Sequence, residues 1–347
     1  MFYTRKANWL RAAIFGLVGA GMILGTVSCA GSAAPTATQT KPASEPTKAA
    51  QPPAAPGTSA PTAAPASSGS TTAPAAKVAK VSQPVNLTGA GATFPYPLYS
   101  KWFEEYKRSI DPNVTINYQS IGSGGGKKQI TERTVDFGAT DGAMTTEELQ
   151  KAPGMLHVPT VAGAVVVTYN IPGVGKGLKL TPDVVAGIFL GQIKKWSDPK
   201  IAGQNAGVKL PDADIAPIHR SDGSGTTNIF TDYLSSVSPE WKSKVGVGTS
   251  VNWPTGIGAK GNEGVAGQVK QLPNAVGYVE LAYAEQNKLP YANVQNKAGA
   301  FVEPSLKSTT AAMAGAAANM PADLRASIVN AAGADAYPIS GFTWLLV

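Results

Sequence analysis

From residue 84 onward, short apolar runs alternate along the chain with segments whose apolar residues recur at helical spacing. The strands predicted in this way are 85–89, 114–118, 135–139, 156–159, 164–169 and 275–279, with a further strand inside 247–254. The helices are predicted at about 96–108, from near Lys127 to Arg133, at 182–190 and at 262–272. This alternation predicts an α/β protein whose mainly parallel sheet carries helices on its faces.

Two helix starts are marked by their own residues. Thr145 with Glu148 three residues later predicts a capping box and a short helix. Thr181 before Pro182 predicts an N-cap followed by proline at the first helical position.

Three glycine-rich loops stand between a predicted strand and a helical pattern. One reads Arg-Ser-Asp-Gly-Ser-Gly-Thr-Thr at 220–227, after the apolar run 215–218 and before a helix around Ile229. The others are at 89–95 and 122–126. None has the Gly-x-x-x-x-Gly-Lys-Ser/Thr pattern of a nucleotide P-loop, and none is a clean dinucleotide fingerprint.

Such loops favour an anion. The first backbone N–H groups of a helix have no intrahelical partner, and the helix dipole attracts negative charge to them. Arg220 adds planar donors that match two oxygens of an oxyanion, and Asp222 could hold it in place. The three loops together predict one pocket built from several helix N-termini. The alternative for each loop is a tight turn of glycine and serine with a surface side chain.

The predicted sheet places four side chains at one edge. Thr93, Ser123, Asp141 and Arg220 each lie just past the end of a strand. Ligands of open α/β sheets bind beyond the carboxyl ends of the strands. The glycine-rich segment 256–264 could also reach a ligand there, but we interpret it as a flexible connector.

Charge and composition exclude several classes of function. The formal net charge is +7, but residues 1–80 contain seven of the 29 basic residues and one of the 22 acidic residues. The remainder is nearly balanced, so no nucleic-acid partner is predicted. Cys29 is the one cysteine, which excludes an intrachain disulfide, and His157 and His219 form no metal-ligand cluster. We expect His157 to be a packed residue, whereas His219, beside Arg220, could line the pocket.

The N-terminus is typical of an exported protein. Basic residues precede an uncharged stretch from 12 to 28, and residues 26–29 resemble a bacterial lipobox in which Cys29 is lipidated. The segment departs from that pattern at Thr26, where leucine is usual. The alternative is an uncleaved anchor, which would also place the rest outside the cytoplasm. Residues 30–83 consist mainly of Ala, Pro, Ser and Thr and predict a disordered tether.

The last residues form another apolar run. Residues 339–347 are typical of a strand, and a chain that stops inside such a run predicts that further residues follow Val347 in the whole protein.

Seven motifs in a fixed order give the chain a family resemblance. They are TGAGATFP at 88–95, IGSGGG at 121–126, VDFGATD at 135–141, GQIKKW at 191–196, RSDGSGT at 220–226, GYVE at 277–280 and AYPI at 336–339. With these motifs the chain resembles, over nearly all of 84–347, the phosphate-binding protein of the high-affinity phosphate ABC transporter.

The resemblance implies a fold and a lobe division. The fold would be the two-lobed, type II periplasmic-binding-protein fold, with a hinge and a cleft between the lobes. Lobe I would comprise 84–162 and 285–347, and lobe II 163–284. The family continues with helices that cover the first lobe, which bears on whether the chain to Val347 folds fully.

The resemblance also implies a ligand set. Carried over position by position, the phosphate contacts are Thr93, Phe94, Ser123, Asp141, Arg220, Ser224, Gly225 and Thr226. Asp222 would orient Arg220. The family often has a second serine after Ser123, where this chain has Gly124.

Asp141 has a chemical purpose in such a site. A carboxylate repels an anion unless the ligand carries a proton that it can donate. Monohydrogen and dihydrogen phosphate carry one, whereas sulfate does not, so Asp141 predicts discrimination between them. The alternative is that Asp141 only caps a turn or the helix at Thr145.

These expectations combine into a non-enzymatic receptor for inorganic phosphate. It would need no cofactor and no metal, would be held at the membrane by lipid on Cys29, and would pass its ligand to the permease and ATPase subunits of a phosphate ABC transporter. Three alternatives stay open: a receptor for sulfate or molybdate, a secreted phosphohydrolase, and an adhesive surface protein.

Overall fold

A computed structural model of the chain describes residues 80–317 and 320–347, without the side chain of residue 317. The predicted signal peptide, the lipid site at Cys29 and residues 30–79 of the predicted tether lie outside these residues. Val81, near the end of that tether, donates its N–H to Asp111 Oδ2 at 2.7 Å and accepts from Asn113 Nδ2 at 2.9 Å.

The strands and helices follow the alternation expected of an α/β protein. The strands are β1 Val85–Gly91, β2 Val114–Ser120, β3 Phe137–Thr140, β4 His157–Asn170, β5 Lys179–Leu180, β6 Ala216–Arg220, β7 Ile257–Ala259, β8 Ala275–Glu280, β9 Asn293–Gln295, β10 Phe301–Val302 and β11 Ser340–Leu346. The helices are α1 Tyr96–Glu105 (continued by a π-helical turn, Tyr106–Ile110), α2 Ser123–Thr131, α3 Thr146–Lys151, α4 Pro182–Phe189, α5 Pro199–Ala202, α6 Gly225–Val237, α7 Pro239–Lys244, α8 Gly261–Gln271, α9 Leu281–Gln286 and α10 Leu306–Ala317.

Eight of these strands form one sheet in the order β2-β1-β3-β11-β4-β8-β6-β7. The pairs β1–β2, β1–β3, β6–β8 and β6–β7 are parallel, and the antiparallel pairs all involve β11 or β4 in the middle of the sheet. The expectation of a mainly parallel α/β sheet is confirmed. A second sheet has the order β10-β9-β5.

Strand β4 joins the two halves of the main sheet. Its residues 157–164 pair with β11, and its residues 165–170 pair with β8. One continuous strand therefore stands where two separate strands, 156–159 and 164–169, are predicted. The predicted break between them is wrong. Val161 and the residues around it are compatible with an extended chain, and Pro159, which cannot donate an N–H, sits at a register shift opposite Trp344.

Aromatic side chains fill the core between β8, α4 and α6. The Phe230 ring stacks on Tyr278 at 4.3 Å, and Phe189 meets Phe230 edge-on at 4.9 Å. Trp196 is fully buried and its Nε1 donates to the Asn274 carbonyl oxygen at 3.1 Å. A buried indole N–H needs such an acceptor.

Helix α2 begins earlier than expected, at Ser123 instead of near Lys127. The glycines of 122–126 are therefore mostly the first helical turn. A Cβ on Gly126 would lie 2.5 Å from Gly91 Cα, so the missing side chain lets the helix lie close against β1. The sequence indicates a loop here because several glycines disfavour a helix unless packing compensates.

The segment 247–254 forms no strand, contrary to the prediction. The edge strand is β7, and the helix α8 starts directly after it at Gly261, so most of the presumed connector 256–264 is regular structure. Trp253 instead stacks on His219, with ring centroids 4.8 Å apart and planes 11° apart. This stacking fixes the loop 247–254 in place, although the loop pairs with no strand.

The remaining local predictions agree with the structure, except that the Thr181 side chain makes no capping bond. Both bonds of the capping box between Thr145 and Glu148 are present at the start of α3. Thr181 occupies the N-cap position of α4, but its hydroxyl donates to Asp183 and does not cap the helix. The predicted strand at the end of the chain is β11, between β3 and β4. Within the residues that the structure describes, no helix combines the length and the apolar character that a membrane span requires.

The core predicts a contrast between two leucines. Leu234 in α6 is fully buried, whereas Leu306 at the start of α10 is 84% exposed. We expect Leu234→Ala to lower the free energy of unfolding by about 2–5 kcal/mol, because it removes buried methyl groups and leaves a cavity. Leu306→Ala should change it by less than about 0.5 kcal/mol. Urea denaturation measures the free energy of unfolding of both variants. Equal losses would contradict the burial of Leu234 and the exposure of Leu306.

Candidate anion-binding site

The carboxyl ends of β1, β2, β3, β6 and β7 lead to one buried cluster of side chains. The predicted ligand residues all lie in it and are buried, with at most 3% of any side-chain-bearing residue exposed: Thr93, Phe94, Ser123, Asp141, Arg220, Ser224, Gly225 and Thr226. The structure thus brings together the three loops that the sequence indicated, at the first turns of α2 and α6 and before α1.

Ser123 is the contact between the two halves of the sheet at this point. Its Oγ accepts from the backbone N–H of Gly225 at 3.0 Å and from the backbone N–H of Asp141 at 3.2 Å. A Cβ on Gly225 would lie 2.5 Å from Ser123 Oγ and 2.6 Å from Asp141 Cβ. Glycine at 225 is therefore required for the N-termini of α2 and α6 to meet.

A second bond joins the same two turns. The N–H of Gly124 donates to the carbonyl oxygen of Gly223 at 2.8 Å. A Cβ on Gly124 would lie 3.1 Å from Gly223 Cα, tighter than ordinary contact. The backbones of the two turns therefore approach each other closely at Gly124 and Gly223.

Arg220 is held from several sides. Its Nε donates to Asp222 Oδ1 at 2.7 Å and its Nη2 to Asp222 Oδ2 at 2.5 Å, a bidentate pair. Asp222 Oδ1 also accepts from the N–H of Gly261 at 3.0 Å, and the Arg220 N–H donates to the hydroxyl of Tyr278 at 3.1 Å. The predicted contact of Asp222 with Arg220 is therefore present. Nη1 of Arg220 points toward Thr226 Oγ1, at 3.4 Å.

The pair also sets the ionisation of Asp222. Burial opposes the charged form, but the hydrogen bonds and the positive charge of Arg220 outweigh it and hold the pKa of Asp222 below its usual value. Asp222 therefore stays ionised across the physiological range and keeps the guanidinium in place.

Asp141 is a buried carboxyl with few donors around it. Thr343 Oγ1 donates to Oδ1 at 2.7 Å, and Ser123 Oγ lies 3.4 Å from Oδ2. Burial raises the pKa of Asp141 to about 7, more than these bonds and the charge of Arg220 lower it. The alternative that Asp141 caps the helix at Thr145 is wrong, because the Thr145 side chain itself caps α3.

Ser224 and Phe94 contribute mainly through their backbone positions. Ser224 is the N-cap of α6, and its Oγ accepts from the N–H of Thr227 at 3.0 Å. The Phe94 ring packs against Gly163, where an added Cβ would lie 2.7 Å from its Cζ. Ser224 thus places the N–H groups of the first turn of α6 at the cluster, whereas Phe94 is followed by Pro95 and offers only its own N–H.

Sequence reasoning missed Asn262, the second residue of α8. Its Nδ2 donates to Thr93 Oγ1 at 2.7 Å and to Thr226 Oγ1 at 3.0 Å, so it touches two of the predicted ligand residues. A fourth helix N-terminus therefore reaches the cluster. The signal was available in the glycine-rich stretch before this helix, which we interpreted as a connector.

The two histidines have different surroundings. His157 is buried, its Nε2 accepts from the N–H of Met144 at 3.0 Å, and burial lowers its pKa to about 4, which confirms the packed role. His219 lines an open groove of about 410 Å³ together with Arg220 and Asp222. Within the described ranges, no group of three or more His, Cys, Asp or Glu side chains could hold a metal ion.

Comparison with known proteins identifies the family. A model of the PBP superfamily domain matches residues 43–347. The phosphate-binding protein PstS of Pasteurella multocida is 49% identical over 270 residues, which cover 78% of each chain. PstS of Haemophilus influenzae is 48% identical over 267 residues, 77% of this chain and 79% of that protein. The chain therefore belongs to the PBP superfamily and, within it, to the family of the phosphate-binding proteins PstS.

A solved structure shares the fold. The X-ray structure of the phosphate-binding protein of Stenotrophomonas maltophilia superimposes with a TM-score of 0.53 at 25% identity, over 76% of this chain and 78% of that chain. The predicted family and the type II periplasmic-binding-protein fold are thereby confirmed. The lobe boundaries and the ligand roles of the individual residues stay predictions.

The raised pKa of Asp141 predicts a pH-dependent stability. Between about pH 4 and pH 7, the folded protein keeps a proton on Asp141 that the unfolded chain releases, so rising pH lowers the free energy of unfolding. The slope is up to about 1.4 kcal/mol per pH unit. Asp141→Asn should remove it, so the stability of the parent relative to the variant falls as pH rises through this window.

Urea denaturation in phosphate-free buffer at a series of pH values measures this difference. Glu280 titrates in both proteins, and burial is the main cause that raises its pKa to about 8, so most of its contribution cancels. The charge of Asp141 adds to that rise, so the Glu280 pKa should be somewhat lower in the variant. Parallel stability curves for parent and variant would show that Asp141 titrates normally.

Proposed function

We propose that this protein captures inorganic phosphate outside the cytoplasm and delivers it to an ABC permease. The observation that carries the proposal is the buried cluster in which Arg220, the N-termini of α2 and α6 and the carboxyl of Asp141 meet. Membership of the PstS family supports it, since relatives covering more than two thirds of the chain are named for phosphate binding.

The donors suit a tetrahedral oxyanion. The Thr226 hydroxyl lies 3.4 Å from Arg220 Nη1, and the hydroxyls of Thr93 and Ser123 belong to the same buried cluster. Backbone N–H groups at the starts of two helices add partial positive charge. The site is buried, so each charge-assisted hydrogen bond acts in a low dielectric and is stronger than in water.

The carboxyl of Asp141 selects a ligand that carries a hydrogen. Monohydrogen phosphate can donate to the ionised carboxylate, whereas sulfate has no hydrogen and would lie against an unpaired negative charge. Such a mismatch in a buried site is costly, which makes the selection strong. We propose this as the basis of phosphate over sulfate preference.

The wider role follows from the other parts of the chain. The leader and Cys29 predict export and a lipid anchor, and the tether lets the domain work near the membrane surface. The two halves of the sheet, which meet at the ligand residues, would close over phosphate by a hinge motion. The protein would act without catalysis, as the receptor for permease and ATPase subunits of a phosphate transporter.

Arg220 tests the assigned anion site. Arg220→Ala should weaken phosphate binding at least about 100-fold, because it removes charge-assisted donors and leaves Asp222 without its partner. Arg108→Ala is a control, since the Arg108 side chain is 71% exposed and lies in the π-helical turn that follows α1. Calorimetric titration measures both, and an unchanged affinity of the Arg220 variant would refute the assignment.

Asp141 tests the selection between oxyanions. The parent should bind phosphate and give no response to sulfate at about pH 8, where the carboxyl is ionised. Asp141→Asn removes the negative charge and supplies an amide donor, so this variant should lose phosphate affinity and gain measurable sulfate binding. Competition titrations with phosphate and sulfate measure the selectivity of the parent and of the variant. A variant that still rejects sulfate would place the selectivity elsewhere.

A further inference from the structure

Asn262 links three parts of the cluster through one side chain. It is fully buried, and besides the two bonds from Nδ2, its backbone N–H donates to Thr93 Oγ1 at 3.2 Å. Its Oδ1 accepts from the N–H of Glu280 at 2.9 Å. The loop after β1, the first turn of α6 and the end of β8 therefore all contact this residue.

The bond to Glu280 decides which end of the amide faces the threonines. A backbone N–H requires an acceptor, so it pairs with Oδ1 of Asn262 and turns Nδ2 toward Thr93 and Thr226. The orientation of the amide is therefore set by the fold and does not depend on a ligand.

The hydroxyls respond to that orientation. A threonine hydroxyl can donate one hydrogen bond and accept two. Thr93 Oγ1 accepts from both nitrogens of Asn262, and Thr226 Oγ1 accepts from Asn262 and from Arg220 Nη1. Both acceptor positions of each oxygen are therefore engaged. Each hydroxyl can then take part in a further hydrogen bond only as a donor. An oxyanion is the ligand that uses such hydrogens.

We infer that Asn262 is a positioning residue of the phosphate site, which keeps the hydroxyls of Thr93 and Thr226 as hydrogen-bond donors toward the ligand. The inference rests on the proposed function and deepens it. It adds a residue of α8 whose task is to select the direction of two hydroxyl hydrogens, so that the site presents donors before the anion arrives.

Two substitutions separate this role from simple packing. Asn262→Ala removes the amide donor, leaves the hydroxyls free to rotate, and should weaken phosphate binding about 10- to 100-fold. Asn262→Asp keeps the shape and the acceptor for Glu280, but its carboxylate accepts from the threonine hydroxyls and turns their hydrogens away from the ligand. The added charge also repels phosphate, so at about pH 8 the loss should exceed that of Asn262→Ala.

The pH dependence of phosphate affinity distinguishes the positioning role from a packing role, because a loss of packing alone would not change it. The affinity of Asn262→Asp relative to the parent should recover as pH falls from about 8 to about 5, because the introduced carboxyl becomes protonated and can donate again. The relative affinity of Asn262→Ala should stay constant over this range.

A remote asparagine is the control for burial. Asn205 is also buried, donates from Nδ2 to the carbonyl oxygens of Lys179 and Ile201, and accepts from the Lys179 N–H. Asn205→Ala should lower thermal stability and leave phosphate affinity within about twofold of the parent.

A double-mutant cycle with Thr226→Val measures the coupling. If Asn262 acts through the threonine hydroxyls, the effect of Asn262→Ala should shrink when that hydroxyl is absent. Calorimetry gives the affinities. For a variant that does not fold, side-chain amide NMR signals of Asn262 in the parent provide the answer, since they should shift when inorganic phosphate is added.

The outcomes distinguish this inference from the proposed function. A parent without phosphate affinity overturns both. A parent that binds, while Asn262→Ala keeps its affinity within about twofold or the Asn262 amide signals do not move, overturns the inference alone. Equal losses and flat pH profiles for the two Asn262 variants also overturn it, because they indicate packing only.

Discussion

The close approach of the first turns of α2 and α6 is the constraint on which the rest of the site depends. Ser123 Oγ accepts from Gly225, and Gly124 donates to Gly223, so these turns touch through backbone groups. Larger side chains at Gly124 or Gly225 would push them apart. The glycines therefore bring together N–H groups from both halves of the sheet.

The charges of the site are balanced within the protein. Arg220 is buried and would be costly alone, but its bidentate pair with Asp222 compensates it and fixes its direction. Asp141 has no such partner, and burial therefore favours its neutral form. Because burial raises the pKa of Asp141 to about 7, this carboxyl can exchange a proton with a hydrogen phosphate ligand. In the proposed function, ligand choice depends on this carboxyl.

Local chemistry made much of the fold and site predictable from sequence. The glycine and hydroxyl residues near Arg220 and Ser123 indicate that a helix follows each loop. The apolar runs before these loops identify the strands that lead to them. Long-range pairing was not predictable in the same way. Nothing near β11 in sequence indicates that it lies between β3 and β4, since register is set by residues far away.

Packing also overrode local preference at two places. The glycines of α2 are helical because β1 lies against them, and the loop around Trp253 is held by His219 instead of a neighbouring strand. Asn262 was missed for a related reason. Its function depends on contacts with Thr93, 169 residues away, and Glu280, so its amide is ordinary in the sequence and specific only in the fold.

The most direct test of the account is a crystal structure of the protein grown with inorganic phosphate. One phosphate is expected in contact with Arg220 and with the hydroxyls of Thr93, Ser123 and Thr226. One phosphate oxygen should lie about 2.5–2.7 Å from an Asp141 carboxyl oxygen, the length of a charged O–H···O bond. A phosphate bound elsewhere, or one with no oxygen in hydrogen-bond contact with Asp141, would contradict it.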